Sequence, residues 1–154
     1  MTSNNIKYVV TDVDGVLTDG SMYYTDSGQE MKRFSTYDGY AVTMCHEQGI
    51  KVIMITGEET EIVNNRANKI GVDYLFSGVS NKLNVLSEFL ANHNCGFENI
   101  AYIGDDLNDL ECMKKSCIAG CPENARKEIK AISSIVLRTR GGDGAFRDFI
   151  EEIL

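Results

Sequence analysis

The sequence predicts an α/β fold: a Rossmann-like, mainly parallel sheet with helices on both faces and a protruding β-hairpin. Short apolar runs alternate with helix-like stretches along the chain, which is the pattern of repeated strand–helix–strand units. Two of these runs lead directly into acidic residues, as happens where a parallel sheet holds a ligand at the carboxyl ends of its strands. A segment at about 21–35 breaks the alternation and predicts the hairpin.

The first half of the chain is predicted to contain the hairpin and the first strand–helix units. The first strand covers residues 6–11, and Asp26-Ser27-Gly28 is the turn signal of the hairpin. We expect Asp38 to cap a helix that Gly49 ends, since aspartate suits the N-cap and glycine the left-handed position after a helix. The next elements are a strand over 51–55, a helix over about 59–70, a strand over 72–76 and a helix over 81–93.

The second half continues the alternation. Pro122, the only proline, is predicted to be the first residue of a helix near 124–131, because its fixed φ suits that position. Residues 138–154 are predicted to form a flexible C-terminal tail that starts with a basic, glycine-rich segment and ends in an amphipathic helix. No low-complexity linker divides the chain, so we predict a single domain over residues 1–154. The other strands are predicted over 100–103, 117–119 and 134–137, with a helix through about 115.

Composition limits the partners of this chain. Of its 154 residues 23 are acidic and 15 basic, which gives a formal net charge of −8 at pH 7. This balance argues against nucleic acid as the main partner, because binding to a phosphate backbone needs a basic face. No apolar stretch approaches the roughly 20 residues that span a bilayer, and the first residues lack a secretory signal. We therefore expect a cytoplasmic protein with neither membrane nor nucleic acid as a partner.

The five cysteines are predicted to be reduced thiols. None forms a CxxC pair, and in a chain without a secretory signal such residues pack as small apolar side chains. A zinc site from Cys112, Cys117 and Cys121 is the alternative, but their spacing fits no usual ligand pattern.

Polar residues that follow four predicted strands carry the candidate chemistry. Asp12 and Asp14 come directly after the first strand, and Asp105 follows a later one. Thr56 and Lys82 follow two others, so all five residues can meet at one edge of the sheet. This set can split a phosphate ester: one aspartate attacks phosphorus, a second transfers protons, and Mg²⁺ offsets negative charge. Thr56 and Lys82 would bind the phosphoryl oxygens.

Four motifs built on these residues resemble those of the haloacid dehalogenase (HAD) superfamily of phosphotransferases. In the family's order they are Asp12–Gly20 (DxDGxxTDG), Thr56-Gly57, Lys82 and Gly104–Asp109. The resemblance implies a HAD-like fold with Asp12 as nucleophile and Asp14 as general acid/base. It also implies that Asp12, the backbone carbonyl of Asp14 and Asp105 hold Mg²⁺. Asp106 and Asp109 are left open, either as supports of the metal or as caps of the following helix.

The only insertion between the first two motifs is the hairpin, which is too small to serve as the cap domain of most relatives. Four segments resemble the capless phosphatases of 3-deoxy-2-keto sugar acids: TDVDGVLTDG, GVSNKL, AYIGDDLNDL and RGGDGAFRDFI. The resemblance implies a homotetramer in which the hairpins of four subunits join and a neighbour closes each site. It implies a small phosphorylated sugar acid as the substrate.

Glu58 distinguishes two substrate groups within this resemblance. The octulosonate 8-phosphate phosphatases typically have arginine after the second-motif Thr-Gly, whereas this chain has Glu58 after Gly57. It is thus more similar to phosphatases of nine-carbon acids, which implies that Gly57 and Glu58 lie against the substrate and that Glu58 contacts sugar hydroxyls. Arg66 and Lys69, from the same or the adjoining subunit, would meet the sugar carboxylate. The alternative for this last pair is an ordinary solvated helix face.

The predicted function is Mg²⁺-dependent hydrolysis of the phosphomonoester of a nine-carbon 3-deoxy-2-keto sugar acid through an aspartyl-phosphate. The predicted substrates are 2-keto-3-deoxynonate 9-phosphate and N-acetylneuraminate 9-phosphate. One alternative is a 3-deoxy-D-manno-octulosonate 8-phosphate phosphatase of lipopolysaccharide synthesis. Another is non-enzymatic, an oligomerising module that partners the cytidylyltransferase of such sugars, although the intact set of acidic residues argues against it.

Overall fold

A computed structural model describes residues 5–154 of the chain. In chain order the strands are β1 (Tyr8–Thr11), β2 (Tyr23–Tyr24), β3 (Glu30–Met31), β4 (Lys51–Ile55), β5 (Tyr74–Phe76), β6 (Ile100–Ile103), β7 (Ile118–Cys121) and β8 (Ile135–Val136). The α-helices are α1 (Thr36–Glu47), α2 (Glu61–Ile70), α3 (Lys82–Asn92), α4 (Leu110–Lys115), α5 (Lys127–Ile132) and α6 (Ala145–Ile153). Six strands form one parallel sheet in the order β5-β4-β1-β6-β7-β8, which confirms the predicted α/β, Rossmann-like class.

The apolar strand β1 lies at the centre of the sheet because both of its faces are buried. Val9 and Val10 have no solvent exposure, and alternation along the strand sends them to opposite faces. Val9 belongs to a core cluster with side chains of α1, α2 and α6, whereas Val10 belongs to a cluster with side chains of α3, α4 and α5. The helices therefore cover both faces of the sheet, as predicted.

The predicted hairpin is present, with shorter strands than expected. β2 and β3 pair antiparallel, with Tyr23 opposite Met31, and a bridge between Thr18 and Phe34 closes the base. Met22, Tyr23, Tyr24 and Met31 expose large apolar surface. Tyr23 and Met31, which pair across the two strands, thus form an apolar outer face of the hairpin that residues 5–154 do not cover.

Asp38 does not cap α1, so that prediction is wrong. Ser35 caps the helix through its Oγ, which accepts the Tyr37 N–H at 3.3 Å, and the helix starts three residues earlier than expected. Asp38 is buried in the first turn, and its Oδ1 accepts the Arg147 N–H at 3.0 Å in the first turn of α6. It therefore caps a helix that is distant in sequence. Gly49 has φ +73 and follows the end of α1, as predicted.

The predicted helix start at Pro122 is also wrong, because α5 begins only at Lys127. The residues between them form an irregular segment that faces the loop after β1. Asn124 Nδ2 donates to Gly15 O at 2.9 Å, and Asn124 Oδ1 accepts the Gly141 N–H at 2.7 Å. Backbone and side chain in this segment are thus engaged in tertiary contacts instead of a helical turn.

The glycine-rich segment before α6, predicted to be mobile, is docked in the structure. The Gly142 N–H donates to Val16 O at 3.3 Å, and a Cβ at Gly141 would collide with the carbonyl of Gly15. Glycine is required there by this close approach of two backbones. The extent of the domain over residues 1–154 stays a prediction. Within residues 5–154, no helix has the length and apolar character needed to cross a membrane.

Candidate active site

Three adjacent parallel strands bring the predicted residues to one edge of the sheet. β1 lies between β4 and β6, with Thr11 in register with Met54 and Ile103. The residues that follow these strands therefore meet in one cavity of ≈ 420 Å³. Its lining residues are Asp12, Asp14, Gly20, Thr56, Gly57, Glu58, Asp105, Asp106, Leu107 and Asn108.

We call the charged group at the deep end of this cavity the floor: Asp12 and Asp105, which line the cavity, with Lys82 and Asp109 buried behind them. Lys82 is the first residue of α3, and its Nζ donates to Asp12 Oδ1 and to Asp109 Oδ1, both at 2.8 Å. Asp12 is 5%, Lys82 3% and Asp109 0% exposed. Burial alone would lower the pKa of Lys82, but the charges of Asp12 and Asp109 raise it above its ordinary value. Lys82 is therefore a fixed positive charge beside Asp12.

Asp109 is a positioning group whose carboxylate is fully engaged. Its Oδ1 accepts from Lys82 and from the hydroxyl of Tyr102 at 2.7 Å, while its Oδ2 accepts the N–H groups of Asp105 at 3.1 Å and Asp106 at 3.4 Å. A carboxylate has about four acceptor sites, so all of them are used. Asp106 instead caps the 3₁₀ turn Leu107–Asp109, because its Oδ1 accepts the Leu107 N–H at 2.7 Å.

The floor fits a hard divalent cation. Carboxylate oxygens of Asp12, Asp105 and Asp109 lie within 4.8 Å of one another, and within residues 5–154 no other such cluster is found, the cysteines included. Asp105 Oδ1 is buried without a hydrogen-bond donor. Since Asp109 is engaged, Asp12 and Asp105 are the carboxylates with capacity for a metal. Oxygen-only donors of this kind suit Mg²⁺.

The raised pKa values of two floor carboxylates also indicate that this site favours a cation. Burial and the charges of Asp109 and Asp105 raise the pKa of Asp12 well above its ordinary value, against the opposing effect of Lys82. Burial and Asp109 also raise the pKa of Asp105 to about 7. A bound cation would reverse both shifts, because it favours the charged carboxylates.

The turn at Gly15 lets the loop after β1 pass close to Asp105. Gly15 has φ +87, and a Cβ at this position would collide with Asp105 Oδ2. Only glycine combines this backbone conformation with this close approach. The turn thereby keeps Asp12 and Asp105 together at the floor.

We call the outer end of the cavity the rim: Asp14, Lys32 and Glu58. The side chains of Asp14 and Glu58 are 30% and 33% exposed, whereas that of Lys32 is 0% exposed. Lys32 Nζ lies 2.7 Å from Asp14 Oδ1, 3.1 Å from Glu58 Oε2 and 3.2 Å from a third carboxylate, that of Glu30. Burial alone would lower the pKa of Lys32, but its hydrogen bonds to Asp14 and Glu58 raise it.

Arg66 and Lys69 are not brought into the cavity by this chain. Both line a separate depression of ≈ 340 Å³ between α1 and α2. Arg66 Nη2 donates to Ser35 O at 2.8 Å, and its guanidinium lies 5.2 Å from the centroid of the Phe34 ring. Contact of this pair with a sugar carboxylate therefore requires a neighbouring subunit and stays a prediction.

Three residues that support the site were not predicted from the sequence. Lys32 belongs to no motif, and only the folding of the hairpin brings it to the rim. Asn124 reaches the loop after β1 from a distant irregular segment. Tyr102 had a signal that could have been used, because it is the one residue with a hydroxyl in the apolar strand β6 and lies two residues before Gly104, where the acidic motif begins.

Comparison with known proteins gives consistent matches. A family model described as haloacid dehalogenase-like hydrolase matches residues 74–147. The 3-deoxy-D-manno-octulosonate 8-phosphate phosphatase KdsC of Yersinia pestis is 37% identical over 150 residues, which cover 97% of this chain and 80% of that protein.

Two solved structures are similar over 99% of this chain. A probable YrbI family phosphatase from Pseudomonas syringae is 40% identical with a TM-score of 0.95, and 86% of that chain is covered. The 3-deoxy-D-manno-octulosonate 8-phosphate phosphatase of Moraxella catarrhalis, in complex with magnesium, phosphate and KDO, is 32% identical with a TM-score of 0.94, and 87% of that chain is covered.

Proposed function

This chain belongs to the haloacid dehalogenase-like hydrolases, and we propose that it removes the phosphate of 3-deoxy-D-manno-octulosonate 8-phosphate. It is a phosphomonoester hydrolase with Mg²⁺ as its cofactor. The observation that carries the proposed substrate is the likeness to the Yersinia pestis phosphatase, which extends over nearly the whole chain. We therefore give the eight-carbon substrate preference over the nine-carbon substrates predicted from Glu58.

Asp12 is the proposed nucleophile. Its carboxylate attacks phosphorus, the bond between phosphorus and the sugar oxygen breaks, and an aspartyl-phosphate forms. Water then attacks this phosphorus, which releases inorganic phosphate and restores the carboxylate. Support comes from the position of Asp12, which is buried at the floor and oriented by Lys82 at 2.8 Å. Lys82 and Thr56 would bind the phosphoryl oxygens during transfer.

Asp14 is the proposed proton carrier. It would donate a proton to the leaving sugar oxygen and later accept one from the attacking water. Its side chain is partly exposed at the rim, two residues along the same loop from Asp12, so it can face an oxygen that departs away from the floor. Asp12, Asp105 and the backbone carbonyl of Asp14 are the groups proposed to hold Mg²⁺. When bound, the ion offsets the charge of the phosphate and the nucleophile.

A nine-carbon substrate is the second candidate. It is favoured by Glu58, which lines the cavity and is held by Lys32 at 3.1 Å, in a position to accept hydrogen bonds from sugar hydroxyls. Gly57 lines the same wall of the cavity. The arrangement of hydroxyl groups beyond the leaving oxygen determines which side chain at this position binds a given sugar better, the Glu58 carboxylate or an arginine.

A homotetramer is the proposed assembly. The apolar outer face of the hairpin, formed by Tyr23 and Met31, is exposed in a single chain, and exposed apolar surface of this kind is typical of a protein interface. A neighbouring subunit is also needed if Arg66 and Lys69 are to reach a sugar carboxylate. Sedimentation velocity of the full chain tests this proposal, and a monomer at micromolar concentration would contradict it.

The substrate is tested by kcat/KM for octulosonate 8-phosphate and for both nine-carbon 9-phosphates, with Mg²⁺ and with EDTA. We expect at least about 10-fold preference for the octulosonate, which corresponds to about 1.4 kcal/mol in the transition state. A preference for a nine-carbon acid would transfer the assignment to the second candidate. Absence of turnover on every phosphate ester would contradict the proposal and favour the oligomerising module.

A further inference from the structure

The hairpin places one buried ammonium group among three carboxylates at the rim. Lys32 Nζ lies within 3.2 Å of an oxygen of Asp14, of Glu58 and of Glu30, and its side chain has no solvent exposure. A charge removed from water in this way is retained only where close partners compensate for it. Here the partners outnumber the cation, so the rim keeps an excess of negative charge.

The neighbours of Lys32 along the chain point in other directions. Met31 is exposed on the outer face of the hairpin, and Arg33 donates to Gly142 O at 2.7 Å and to Asp143 at 2.6 Å. Arg33 therefore anchors the hairpin to the segment before α6, whereas Lys32 bonds to Asp14 and Glu58, two residues that line the cavity. The two basic residues thus tie the hairpin to different parts of the domain.

We propose that Lys32 is a positioning and specificity-determining residue that holds Asp14 and Glu58 in a fixed relation on the side of the cavity where the leaving sugar lies. This inference rests on the proposed function. If Asp12 attacks from the floor, the leaving oxygen departs on the opposite side of phosphorus, which is the side of the rim. Lys32 therefore positions the groups that act on the departing alcohol, whereas Lys82 binds the phosphoryl group.

Because Lys32 and Lys82 have different proposed roles, the loss of kcat/KM on removal of Lys32 should depend on the leaving group. p-Nitrophenolate leaves without a proton, so formation of the aspartyl-phosphate from p-nitrophenyl phosphate, the step that kcat/KM reports, needs neither the Asp14 proton nor Glu58. Glycerol 2-phosphate needs a proton donor but has no sugar acid to recognise. The sugar acid phosphate needs both, and should lose the most when Lys32 is removed.

The experiment measures kcat/KM with Mg²⁺ for these three esters in wild type, Lys32→Met, Glu58→Gln and the double variant. Lys32→Arg retains the charge, and Arg33→Met removes the other hairpin anchor without touching the cavity. For Lys32→Met we expect a loss of about 2-fold on the aryl ester, about 10-fold on glycerol phosphate and about 100-fold on the sugar acid phosphate. Lys32→Arg should recover part of each loss, and Arg33→Met should affect all three esters alike.

Glu58→Gln should reduce the sugar acid reaction by a larger factor than the other two reactions, and the double variant should lose less than the product of the single losses, because the two residues share one contact. Equal losses of Lys32→Met on all three esters would overturn the proposal and leave a purely structural role. If circular dichroism shows that Lys32→Met does not fold, Lys32→Arg is compared with Arg33→Met on the same three esters. Equal ratios of the losses in kcat/KM for these two variants overturn the proposal.

Wild-type preference for a nine-carbon acid would contradict the proposed substrate alone, and that acid then replaces the octulosonate in the test. Turnover of neither sugar would overturn the role in specificity as well.

Discussion

The floor and the rim of the cavity are built in different ways. The floor is formed by residues at the ends of central strands or at the start of a helix, and Lys82 and Asp109 are each held by several hydrogen bonds. The rim is partly exposed and depends on Lys32, which arrives from a hairpin whose outer face is open to a neighbour. Under the proposed roles, the sheet fixes the groups that transfer the phosphate, whereas a peripheral element influences the choice of sugar.

Asp12→Asn is the largest test of the floor. Loss of the proposed nucleophile should reduce kcat by about 10⁴-fold or more on every phosphate ester, because an amide at this position cannot form the covalent intermediate. Steady-state assays with the aryl and the sugar acid esters check this. Asp26→Asn, in the exposed hairpin turn, is the control. A loss confined to the sugar acid ester would mean that Asp12 acts in sugar recognition, as proposed for the rim. It would contradict the assignment of phosphate transfer to the floor.

Mg²⁺ should stabilise the fold through the floor alone. At a concentration 100 times its Kd, the ion should raise the free energy of unfolding by about 2.7 kcal/mol, since it binds carboxylates gathered only in the folded state. Urea unfolding with Mg²⁺ or EDTA measures this difference. Asp105→Asn should remove most of it and Glu58→Gln none. An equal effect of both variants would mean that the cation is shared with the rim.

Tyr102→Phe sharpens the comparison because it removes one hydroxyl from the floor. Asp109 would lose the 2.7 Å hydrogen bond that helps to orient Lys82, and we expect about a 10-fold lower kcat. The ratio of sugar acid to aryl turnover should not change. Tyr74→Phe, also in the core on this face of the sheet, is the matched control. A change in the substrate ratio would show that the floor also contributes to selectivity.

Asp38→Asn gives the smallest expected effect and concerns a residue outside the floor and the rim, in the first turn of α1 against α6. Burial raises the pKa of Asp38 to about 7, although the Arg147 N–H and Arg66 oppose this shift. The native state therefore binds more protons than the unfolded state between about pH 4 and pH 7, so stability falls as pH rises through this window.

The variant should flatten that slope, by at most about 1.4 kcal/mol per pH unit, because asparagine keeps the acceptor but does not titrate. Urea unfolding at a series of pH values, in the presence of Mg²⁺, measures the slope. An unchanged slope would mean that Asp38 does not hold a proton in this window. Asp26→Asn again serves as the exposed control.

The sequence was sufficient to predict the floor because strand ends dictate where its residues go. Asp12, Thr56 and Asp105 follow adjacent parallel strands, so correct strand assignment places them together. The engagement of Asp109 by Tyr102 could not be read from the motif, because it depends on which strand face points at the turn.

The rim was only half predictable for a physical reason. Asp14 and Glu58 were identified, but Lys32 meets them only after the hairpin folds back across 18 and 26 residues of chain. Asp38 shows a related error: an acid at a helix start has the right chemistry for a cap, but the helix that it caps lies 109 residues away. Local signals specify the type of interaction and leave the partner to tertiary packing.

The contact between Gly15 and Gly141 has a consequence for local unfolding. Asn124 joins these two glycines, although Gly15 lies 109 residues away from it along the chain. Detachment of the glycine-rich segment would therefore also remove support from the loop after β1, so we expect the backbone amides of the two segments to exchange with solvent together.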